Sequence, residues 1–551
     1  MSDLKEKIKL AYKKLKSAVY YDKNQLILRN KIVDYEKKLD FSNEKIDKKL
    51  EKIIEVLKSD KEEIWTSYIK KNLDKIDTHY FPKKIKNKNK SEDIIINKYS
   101  QDIVLTEVQK FIDINVESQI LGILWVMTVG EVLDEEIYEN SYGNRLKKTI
   151  DIKNKKDIIE EDKSPRLFSP YFLQYEKWRN NALEVAENIL KNNQDAIILT
   201  LDFQRFYYNI DLLEKDKDDY YNLYTTKNGK DTSVRRLNEF VFEVISKYSE
   251  NNRKSYKFLP INFYPSNIIS NYYLKEFDNK LIERWNPSYY GRYVDDIIIV
   301  DKVEKNSQLY LKMKKNQLDK ACIINYFLCG CNGNKNDECC KKSAKEFDSS
   351  LLKFDEKEKY YYVNENIIEN RRRQLRIQDQ KVNIFYFNEL GSNALLDKFK
   401  KELRKNTSEF RYLPEDDATL VNNDYSEIYD LKNNDSINKL NSIEDIQINK
   451  YSLSKYLGKL TRIDLLIDDT NNNKFYADIL KIFDNKNIVL NYMTWEKVLQ
   501  IFLTNKKFEI AKKYILSIVQ IISEIKYTNE NQDNRTLRKT LMLYLYRSMS
   551  R

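Results

Sequence analysis

The sequence predicts an α+β core followed by an α-helical C-terminal region. Two short runs, within residues 196–211 and 289–301, are rich in the aliphatic and β-branched residues typical of buried strands. An amphipathic helical pattern precedes the first run, and the chain between the runs is long enough for further helices, as an α+β fold requires. From Phe508 to Ile525, apolar residues recur at gaps of three and four, which indicates one buried helix face.

Length and pattern divide the chain into three predicted parts. A chain of 551 residues is long enough for two or three domains. We expect an N-terminal helical region at 1–95, the α+β core at 96–394, and an α-helical, repeat-like domain without a clean period at 395–551. The Asn- and Asp-rich residues 422–449 are predicted to form a loop.

The composition favours a soluble protein of the reducing cytoplasm. No apolar stretch reaches the roughly 18 residues of a membrane span, and the charged N-terminus does not have the pattern of a signal peptide, so no membrane partner is expected. With 97 basic against 86 acidic residues, the net charge of +11 favours a nucleic-acid partner only weakly. The single histidine, His79, excludes a His-rich metal site and disfavours a histidine general base.

The most informative segment is 289–301, where Asp295 and Asp296 interrupt an apolar and aromatic run. Buried carboxylates cost several kcal/mol unless they are compensated, and a divalent cation is the usual compensation. The pattern therefore predicts two strands joined by a tight turn that holds metal. A solvated hairpin turn is the alternative when this segment is taken alone.

A second carboxylate decides between these interpretations. In segment 196–211 the apolar strand ends at Asp202 and is followed by aromatic residues. A carboxylate at the end of one buried strand can face another on a neighbouring hairpin. Such a pair can bridge two Mg²⁺ ions about 3.5–4 Å apart, the arrangement that stabilises the attacking and leaving oxygens in phosphoryl transfer.

Three motifs, taken in order, resemble one protein family. The chain reads DFxxFYxxI from Asp202, LPxxxxxS from Leu259 to Ser266, and YVDD at 293–296. This series resembles the palm of a reverse transcriptase, most strongly the AbiK-like abortive-infection and unknown-group defence enzymes of bacteria. The resemblance implies a right-hand polymerase palm and fingers, with the C-terminal helical domain in place of a standard thumb.

The resemblance also implies a metal centre with assigned ligands. Asp202 and Asp295 would bridge two Mg²⁺ ions, which Mn²⁺ can replace, while Asp296 supports them and the Phe203 carbonyl adds a ligand. The lysine beside the pyrophosphate leaving group matches Lys359, with Lys357 as the alternative. Asp202, Asp295, Asp296 and Lys359 are therefore the predicted catalytic residues.

Nucleotide-binding residues follow from the same comparison of motifs. Arg145, in YGNRL, matches a fingers arginine that approaches the triphosphate, although a surface ion pair would explain it equally well. Tyr207 matches the aromatic gate that excludes a 2′-hydroxyl and so implies deoxynucleotides, with Phe206 as the weaker candidate. Ser266 and Asn271 match the segment before YVDD and are assigned to the nucleotide site.

Two departures from the family pattern bear on template use. The family has glutamine and glycine where this chain has Ile261 and Asn262, at positions near the template and primer. Their replacement favours synthesis without a template. Three further features are assigned more loosely: residues 384–387 to a primer-gripping hairpin, the arginines at 371–373 to phosphate contacts or solvent, and a cysteine cluster to a surface insertion or a zinc site. The cluster comprises Cys329, Cys331, Cys339 and Cys340.

The sequence thus predicts an anti-phage DNA polymerase that adds dNTPs to a DNA or protein hydroxyl. Untemplated synthesis is favoured, and the single-stranded DNA product would be covalently attached to the protein where a tyrosine acts as primer. The alternatives are an RNA-templated enzyme copying a partner noncoding RNA and, more remotely, an inactive phage-sensing scaffold. The amphipathic C-terminal helices and the family resemblance favour a homo-oligomer.

Overall fold

The fold is described from a computed structural model of the whole chain. The described residues are 4–21, 25–85, 103–151, 156–159, 165–315, 317, 320, 323–324, 351–355, 357–368, 371–388, 429–433, 443–448, 453, 456–458, 473–483 and 485–550. The cysteine cluster lies outside these residues.

The secondary structure is mixed. The helices are α1 Leu4–Tyr21, α2 Leu26–Lys37, α3 Asn43–Lys58, α4 Glu62–Leu73, α5 Val116–Val126, α6 Val129–Glu135, α7 Tyr171–Lys191, α8 Phe206–Asn209, α9 Glu214–Asn228, α10 Thr232–Asn251, α11 Tyr264–Tyr273, α12 Lys275–Arg284, α13 Gln308–Lys314, α14 Asn473–Ile482, α15 Asn485–Leu490, α16 Trp495–Thr504, α17 Phe508–Glu524 and α18 Asn531–Met549. The strands are β1 Asp77–Ile85, β2 Leu105–Asp113, β3 Lys148–Asp151, β4 Lys156–Ile159, β5 Asp195–Asp202, β6 Tyr289–Tyr293, β7 Asp296–Val303, β8 Leu352–Asp355, β9 Tyr360–Val363, β10 Arg376–Gln378, β11 Asn383–Phe387, β12 Tyr429–Asn433 and β13 Ile443–Ile448.

The chain forms two compact units that interleave along the sequence. The first comprises residues 1–18, 35–77 and 112–404, and the second comprises 19–34, 78–111 and 405–551. These units do not follow the linear order of the three predicted parts. The domain boundaries at 95 and 395 therefore remain a prediction about organisation.

A four-stranded antiparallel sheet with the order β11-β5-β7-β6 forms the centre of the first unit. Because side chains alternate across a strand, successive residues of β5 enter different cores. Ala196 and Ile198 pack with Trp178 and Ala186 of α7, whereas Ile197 packs on the other face with Val303. This two-sided burial explains why the strand is a continuous apolar run.

Helix α5 is an apolar core element of the same unit. Nearly all of its side chains are buried, and the Trp125 indole N–H donates to Asn238 Oδ1 at 2.9 Å. Among the described residues, no single helix has the length and apolar character to cross a membrane. The bent pair of α5 and α6, with a 42° break, reaches that length only jointly.

Three local expectations differ from the structure. Residues 77–85 form β1, so the predicted N-terminal helical region ends its helices at α4. Residues 384–387 lie in β11, an edge strand paired with β5 through Asn383↔Thr200, rather than in a hairpin. Strands β12 and β13 pair within the predicted 422–449 loop, where the spacing of Ile443, Ile446 and Ile448 was outweighed by the surrounding Asn and Asp.

The second unit has an aromatic core. The ring of Phe81 stacks on Tyr492 at a centroid distance of 5.0 Å, and Tyr544 packs edge-on against both. Trp495 contacts the same tyrosine and is fully buried. From residue 485 to 550 this unit is largely helical, while β12 and β13 show that its C-terminal segment also contains strands. A repeat-like arrangement of its helices stays a prediction.

Candidate active site

Three carboxylates meet where β5 ends beside the β6–β7 hairpin. The strand register pairs Asp202 directly with Asp296, and Asp295 occupies the turn just before β7. The Phe203 N–H donates to the Asp295 carbonyl at 3.3 Å, which ties the end of β5 to the turn. The two aspartate motifs, although remote in sequence, therefore form one acidic cluster.

The electrostatics of this acidic cluster disfavour full ionisation. Partial burial and repulsion from Asp296 raise the pKa of Asp295 to about 7. Burial and repulsion from Asp202 raise the pKa of Asp296 to about 6, while Lys381 acts in the opposite direction on both groups. Partly desolvated carboxylates that repel one another are relieved either by taking up a proton or by a nearby cation.

Lys381 supplies a cation to this cluster, and sequence reasoning missed it. Its Nζ donates to Asp202 Oδ2. Lys381 ends the short 3-10 helix Asp379–Lys381, two residues before β11 begins. The pairing of Asn383 with Thr200 brings this helix end beside the end of β5, where Asp202 lies. The one sequence signal was a lysine directly before an apolar run, and that run was assigned to a hairpin rather than to this sheet.

Lys359 and Lys357, the lysines predicted to lie beside the pyrophosphate leaving group, lie on the β8–β9 turn. Lys359 has a left-handed backbone with φ 57° and holds its Nζ 5.9 Å from the centre of the Phe354 ring. The Lys357 N–H donates to Asp355 Oδ1 at 2.9 Å, and its side chain is exposed. Among the described lysines, Lys381 is the one whose ammonium bonds a carboxylate of the acidic cluster, and the role predicted for Lys359 stays a prediction.

The acidic cluster has suitable chemistry for a divalent cation, although its present geometry is set by the lysine. Carboxylate oxygens are the ligands that Mg²⁺ prefers, and raised pKa values show charge that a metal would relieve. As the side chains stand, no group of three or more His, Cys, Asp or Glu residues among the described positions is arranged around a common metal position. Asp202, Asp295 and Asp296 would hold the metal once Lys381 moves aside.

A buried arginine, Arg292, supports the turn between β6 and β7. Arg292 and Asp278 are fully buried and form a two-bonded ion pair at 2.7 and 3.1 Å. Arg292 also donates to the Val294 carbonyl at 2.9 Å, and Tyr290 donates its hydroxyl hydrogen to Asp278. Val294 has φ 58°, a conformation that a β-branched residue rarely adopts and that costs about 1–2 kcal/mol. The bond from Arg292 helps hold this strained backbone beside Asp295.

The turn also contacts the loop at 140–144. The Tyr142 N–H donates to the Arg292 carbonyl at 2.7 Å, and Asn271 Nδ2 donates to the Gly143 carbonyl at 2.7 Å. A Cβ on Gly143 would lie 2.6 Å from Val294 Cγ2, too close to be accommodated without movement. Glycine is therefore needed for the close approach of this loop to the aspartate turn.

A strand ending in an aspartate, a hairpin carrying two more and a supporting loop together suggest nucleotidyl transfer, and comparison with known families gives an independent result. Residues 137–325 match the family model described as reverse transcriptase (RNA-dependent DNA polymerase). The chain carries a reverse-transcriptase domain. No curated protein matches the chain. The matched range includes the three aspartates and ends before Lys381.

The residues predicted to bind nucleotide differ from one another in burial and in their contacts within the reverse-transcriptase domain. Tyr207 is half-buried, and its hydroxyl donates to Asn267 Oδ1 at 3.0 Å. Burial raises the pKa of this hydroxyl, and the charge of Asp295 raises it further. Phe206, the alternative gate, is 2% exposed and stacks on Phe203. This arrangement favours Tyr207 over Phe206 as the side chain beside a bound sugar.

Ser266, Asn271 and Arg145 are enclosed by protein contacts. Ser266 is fully buried in α11, and its Oγ has no hydrogen-bond partner. Asn271 is also fully buried, because it links Gly143 to Arg292. Arg145 donates to the carboxylate and the carbonyl of Asp134 at 2.8 and 2.9 Å, and to two further carbonyls. In this structure these residues stabilise the domain, and their contacts with nucleotide stay predictions.

Asn262 changes the interpretation of the missing family glycine. Its backbone φ is 74°, in the left-handed region that glycine adopts most readily and that asparagine tolerates better than other side chains do. Its carbonyl accepts from Gln119 Nε2 at 2.9 Å. The substitution therefore retains the backbone conformation that a glycine would supply, which weakens the argument against template reading.

Proposed function

We propose that this reverse-transcriptase-family protein is an anti-phage DNA polymerase that adds dNTPs to a DNA or protein hydroxyl by two-metal phosphoryl transfer. The observation that supports the chemistry most directly is the register pairing of Asp202 with Asp296, with Asp295 beside them at raised pKa. Compensating positive charge stabilises such a cluster in its ionised form, and a catalytic Mg²⁺ pair would supply more of it than Lys381 does.

Each residue of the acidic cluster has a proposed role. Asp202 and Asp295 would hold the Mg²⁺ ions, Asp296 would support them, and the Phe203 carbonyl would add an oxygen ligand. When bound, the ions activate the attacking hydroxyl and neutralise charge on the pyrophosphate. The protein's own contribution is to fix the carboxylates on a rigid sheet and to maintain the strained turn beside them.

Lys381 takes over the role that the sequence assigned to Lys359. With the metal ions in place, its ammonium would be displaced from Asp202 and would remain beside the bound nucleotide. A lysine there can donate a hydrogen bond or a proton to the leaving pyrophosphate. Tyr207 lies next to Asp295 and is proposed to exclude a ribose 2′-hydroxyl.

Template use has two candidate answers. Untemplated, protein-primed synthesis remains the primary proposal and is supported by the Ile261 departure and the resemblance to defence enzymes. RNA-templated synthesis from a partner noncoding RNA is the second candidate, because the left-handed backbone of Asn262 removes one objection to it. A homo-oligomeric state is proposed from the amphipathic C-terminal helices and the resemblance, and a cytoplasmic location is proposed from the composition of the chain.

The test uses purified, nuclease-treated full-length protein with Mg²⁺ and each labelled dNTP in turn. Products are separated on denaturing gels before and after protease digestion. The active-site variant is Asp295→Asn with Asp296→Asn, and the matched control is Asp218→Asn, which changes an exposed carboxylate of α9. Phage infection of cells carrying the wild type or the double variant tests the defence role.

The outcomes separate the alternatives. Label that appears without nucleic acid, and that migrates with protein until digestion, supports untemplated protein priming. Label that appears only when copurified RNA is retained supports the templated alternative. Incorporation by the double variant at the wild-type rate would refute the proposed site, and equal phage resistance of wild type and double variant would refute a catalytic role in defence.

A further inference from the structure

A basic cleft lies within the first unit, apart from the three aspartates. Its volume is about 730 Å³, and four arginines, Arg371, Arg372, Arg373 and Arg376, line it. We call it the arginine cleft. Its charge sets it apart from the acidic cluster, and the mechanism proposed above does not use it.

The arginine cleft is connected directly to the end of the catalytic strand. The Gln204 N–H donates to the Arg376 carbonyl at 2.8 Å, two residues beyond Asp202. Phe203 forms a bridge with Ile377 of β10. A ligand in the cleft would therefore be held on the same rigid framework as the site of nucleotide addition.

Most of the positive charge in the cleft is available to a ligand. Arg371 is neutralised by Asp216, to which it donates two bonds. Arg372 and Arg373 instead donate to neutral oxygens, the Ser255 carbonyl at 2.8 Å and Asn209 Oδ1 at 3.2 Å. Among the described carboxylates, none forms an ion pair with the guanidinium groups of Arg372, Arg373 or Arg376.

Among the described residues, two further acidic side chains offset part of this charge. Asp211 Oδ2 accepts from the Arg372 backbone N–H at 2.7 Å. Glu365 lines the cleft and accepts from Gln374 Nε2 at 2.6 Å. Three arginines whose guanidinium groups have no carboxylate partner outweigh these two described acids, so the cleft carries a net positive charge and attracts anions.

The arginines are also arranged for phosphate recognition. Arg376 lies 4.7 Å from the centre of the Tyr360 ring and Arg373 lies 5.3 Å from that of Tyr256. Ring contacts hold a guanidinium plane in place and leave its edge free to form paired bonds with phosphate oxygens.

We propose that the arginine cleft binds the sugar–phosphate backbone of a single nucleic-acid strand, the growing DNA strand next to the active site. This inference rests on the proposed polymerase function. Three arginines at different positions, without counting the neutralised Arg371, suit successive phosphates of a strand better than one compact triphosphate. Tyr362 also lines the cleft, and an aromatic ring there suits stacking with a base, which favours a nucleic acid over an acidic peptide.

The test measures binding alone, without dNTPs or metal. Full-length protein is titrated into a fluorescein-labelled 20-residue oligothymidylate at a series of NaCl concentrations, and affinity is read from anisotropy. The cleft variant carries Arg372→Gln, Arg373→Gln and Arg376→Gln. The control carries Arg235→Gln, Lys247→Gln and Lys280→Gln, three partly exposed cations of α10 and α12. Both variants lose three positive charges.

The expected result is specific to the cleft. Each phosphate that the protein no longer neutralises lowers the slope of log affinity against log salt by about 0.7 for a single strand. The cleft variant should therefore lose about 2 from that slope and bind at least about 10-fold more weakly at low salt, while the control keeps the wild-type slope. A third variant with lysine at the same three positions should keep most of the slope, because the charges remain. Circular dichroism confirms that each variant is folded.

Equal weakening of the cleft and control variants, or an unchanged slope in the cleft variant, would overturn the proposal. The proposal would also be overturned if tripolyphosphate displaced the labelled oligonucleotide as well as unlabelled oligonucleotide does at the same concentration of phosphate groups. That result would indicate a site for small anions. The Asp295→Asn/Asp296→Asn variant separates this inference from the polymerase proposal: it should bind the oligonucleotide normally while incorporating nothing. If the wild type incorporates no nucleotide but the cleft variant alone loses binding, the cleft assignment stands and the polymerase proposal fails.

Discussion

Replacing Asp295 with asparagine should stabilise the metal-free protein although it removes a proposed catalytic residue. Partial burial and repulsion from Asp296 and Asp202 raise the pKa of Asp295 to about 7, whereas an unfolded aspartate titrates near its ordinary value of 3.8. Above pH 7 the folded protein must keep a disfavoured charge in place. Asparagine has nearly the same shape and carries no charge.

The size of the effect follows from the difference between the two pKa values. A difference of about three corresponds to about 4 kcal/mol at full strength. Residual solvent contact and the shared repulsion with Asp296 reduce this upper limit, so we expect a gain of about 2 kcal/mol in the free energy of unfolding at pH 8.

The pH dependence has a defined sign. Below pH 3.8 the carboxyl is protonated in both the folded and the unfolded protein, and the substitution gains nothing through charge. Between pH 3.8 and 7 the unfolded chain ionises first, so the wild type loses stability progressively as the pH rises. Above pH 7 the difference between variant and wild type becomes constant.

Thermal unfolding in EDTA at pH 4.5, 6 and 8 measures this difference, with Asp218→Asn as the control for loss of an exposed carboxylate. The melting temperature of Asp295→Asn should exceed that of the wild type at pH 8, and the gap should shrink at pH 4.5. Adding Mg²⁺ at pH 8 should narrow the gap, because the wild type gains metal-binding energy that the variant lacks. A variant that melts below the wild type at pH 8, or a gap that is the same at all three pH values, would refute the reasoning.

Three further predictions concern residues around the acidic cluster. Lys381→Ala should slow dNTP incorporation about 100-fold in single-turnover assays without weakening oligonucleotide binding, because it removes a proton donor rather than a strand contact; an unchanged rate would return the role to Lys359. Arg292→Lys should lower the free energy of unfolding in urea by about 3 kcal/mol, because lysine cannot form the paired bonds to buried Asp278. Wild-type stability in this variant would show that the paired bonds are dispensable. Tyr207→Ala should raise ribonucleotide incorporation relative to deoxynucleotide about 10-fold in competition assays, whereas unchanged discrimination would make Tyr207 a packing residue.

The sequence was sufficient to predict the local features of the candidate site. The β-branched run after Asp296 indicated a buried strand, and the structure has β7 there, paired with β5 and β6. The opposition of Asp202 to this hairpin was also predictable, because carboxylates at the ends of buried strands need a common cation. In both cases the chemical requirement is visible within a few neighbouring residues.

Contacts that depend on long-range pairing were not predictable in the same way. Lys381 reaches Asp202 only because β11 pairs with β5 in one register, and no pattern near Lys381 specifies that partner. The Arg292–Asp278 pair joins a strand to a helix in the core, where either residue alone resembles an ordinary surface charge in the sequence. Arg145 was assigned from the family resemblance, and its partner Asp134 lies in a segment that the motif does not include.

The two charged clusters near the turn differ in net charge, because one is neutral and the other has an excess of carboxylates. This difference indicates which cluster takes part in the proposed reaction. Below the turn, Arg292 and Asp278 neutralise each other completely and are closed to solvent, so they can only support the backbone. Beside the turn, three carboxylates face one lysine that is about half exposed, and the charge remains unbalanced. A protein tolerates such an imbalance where a ligand corrects it. Since Lys381 and a divalent cation compete for Asp202, metal entry should release the lysine towards the incoming nucleotide, coupling the two events through a single carboxylate.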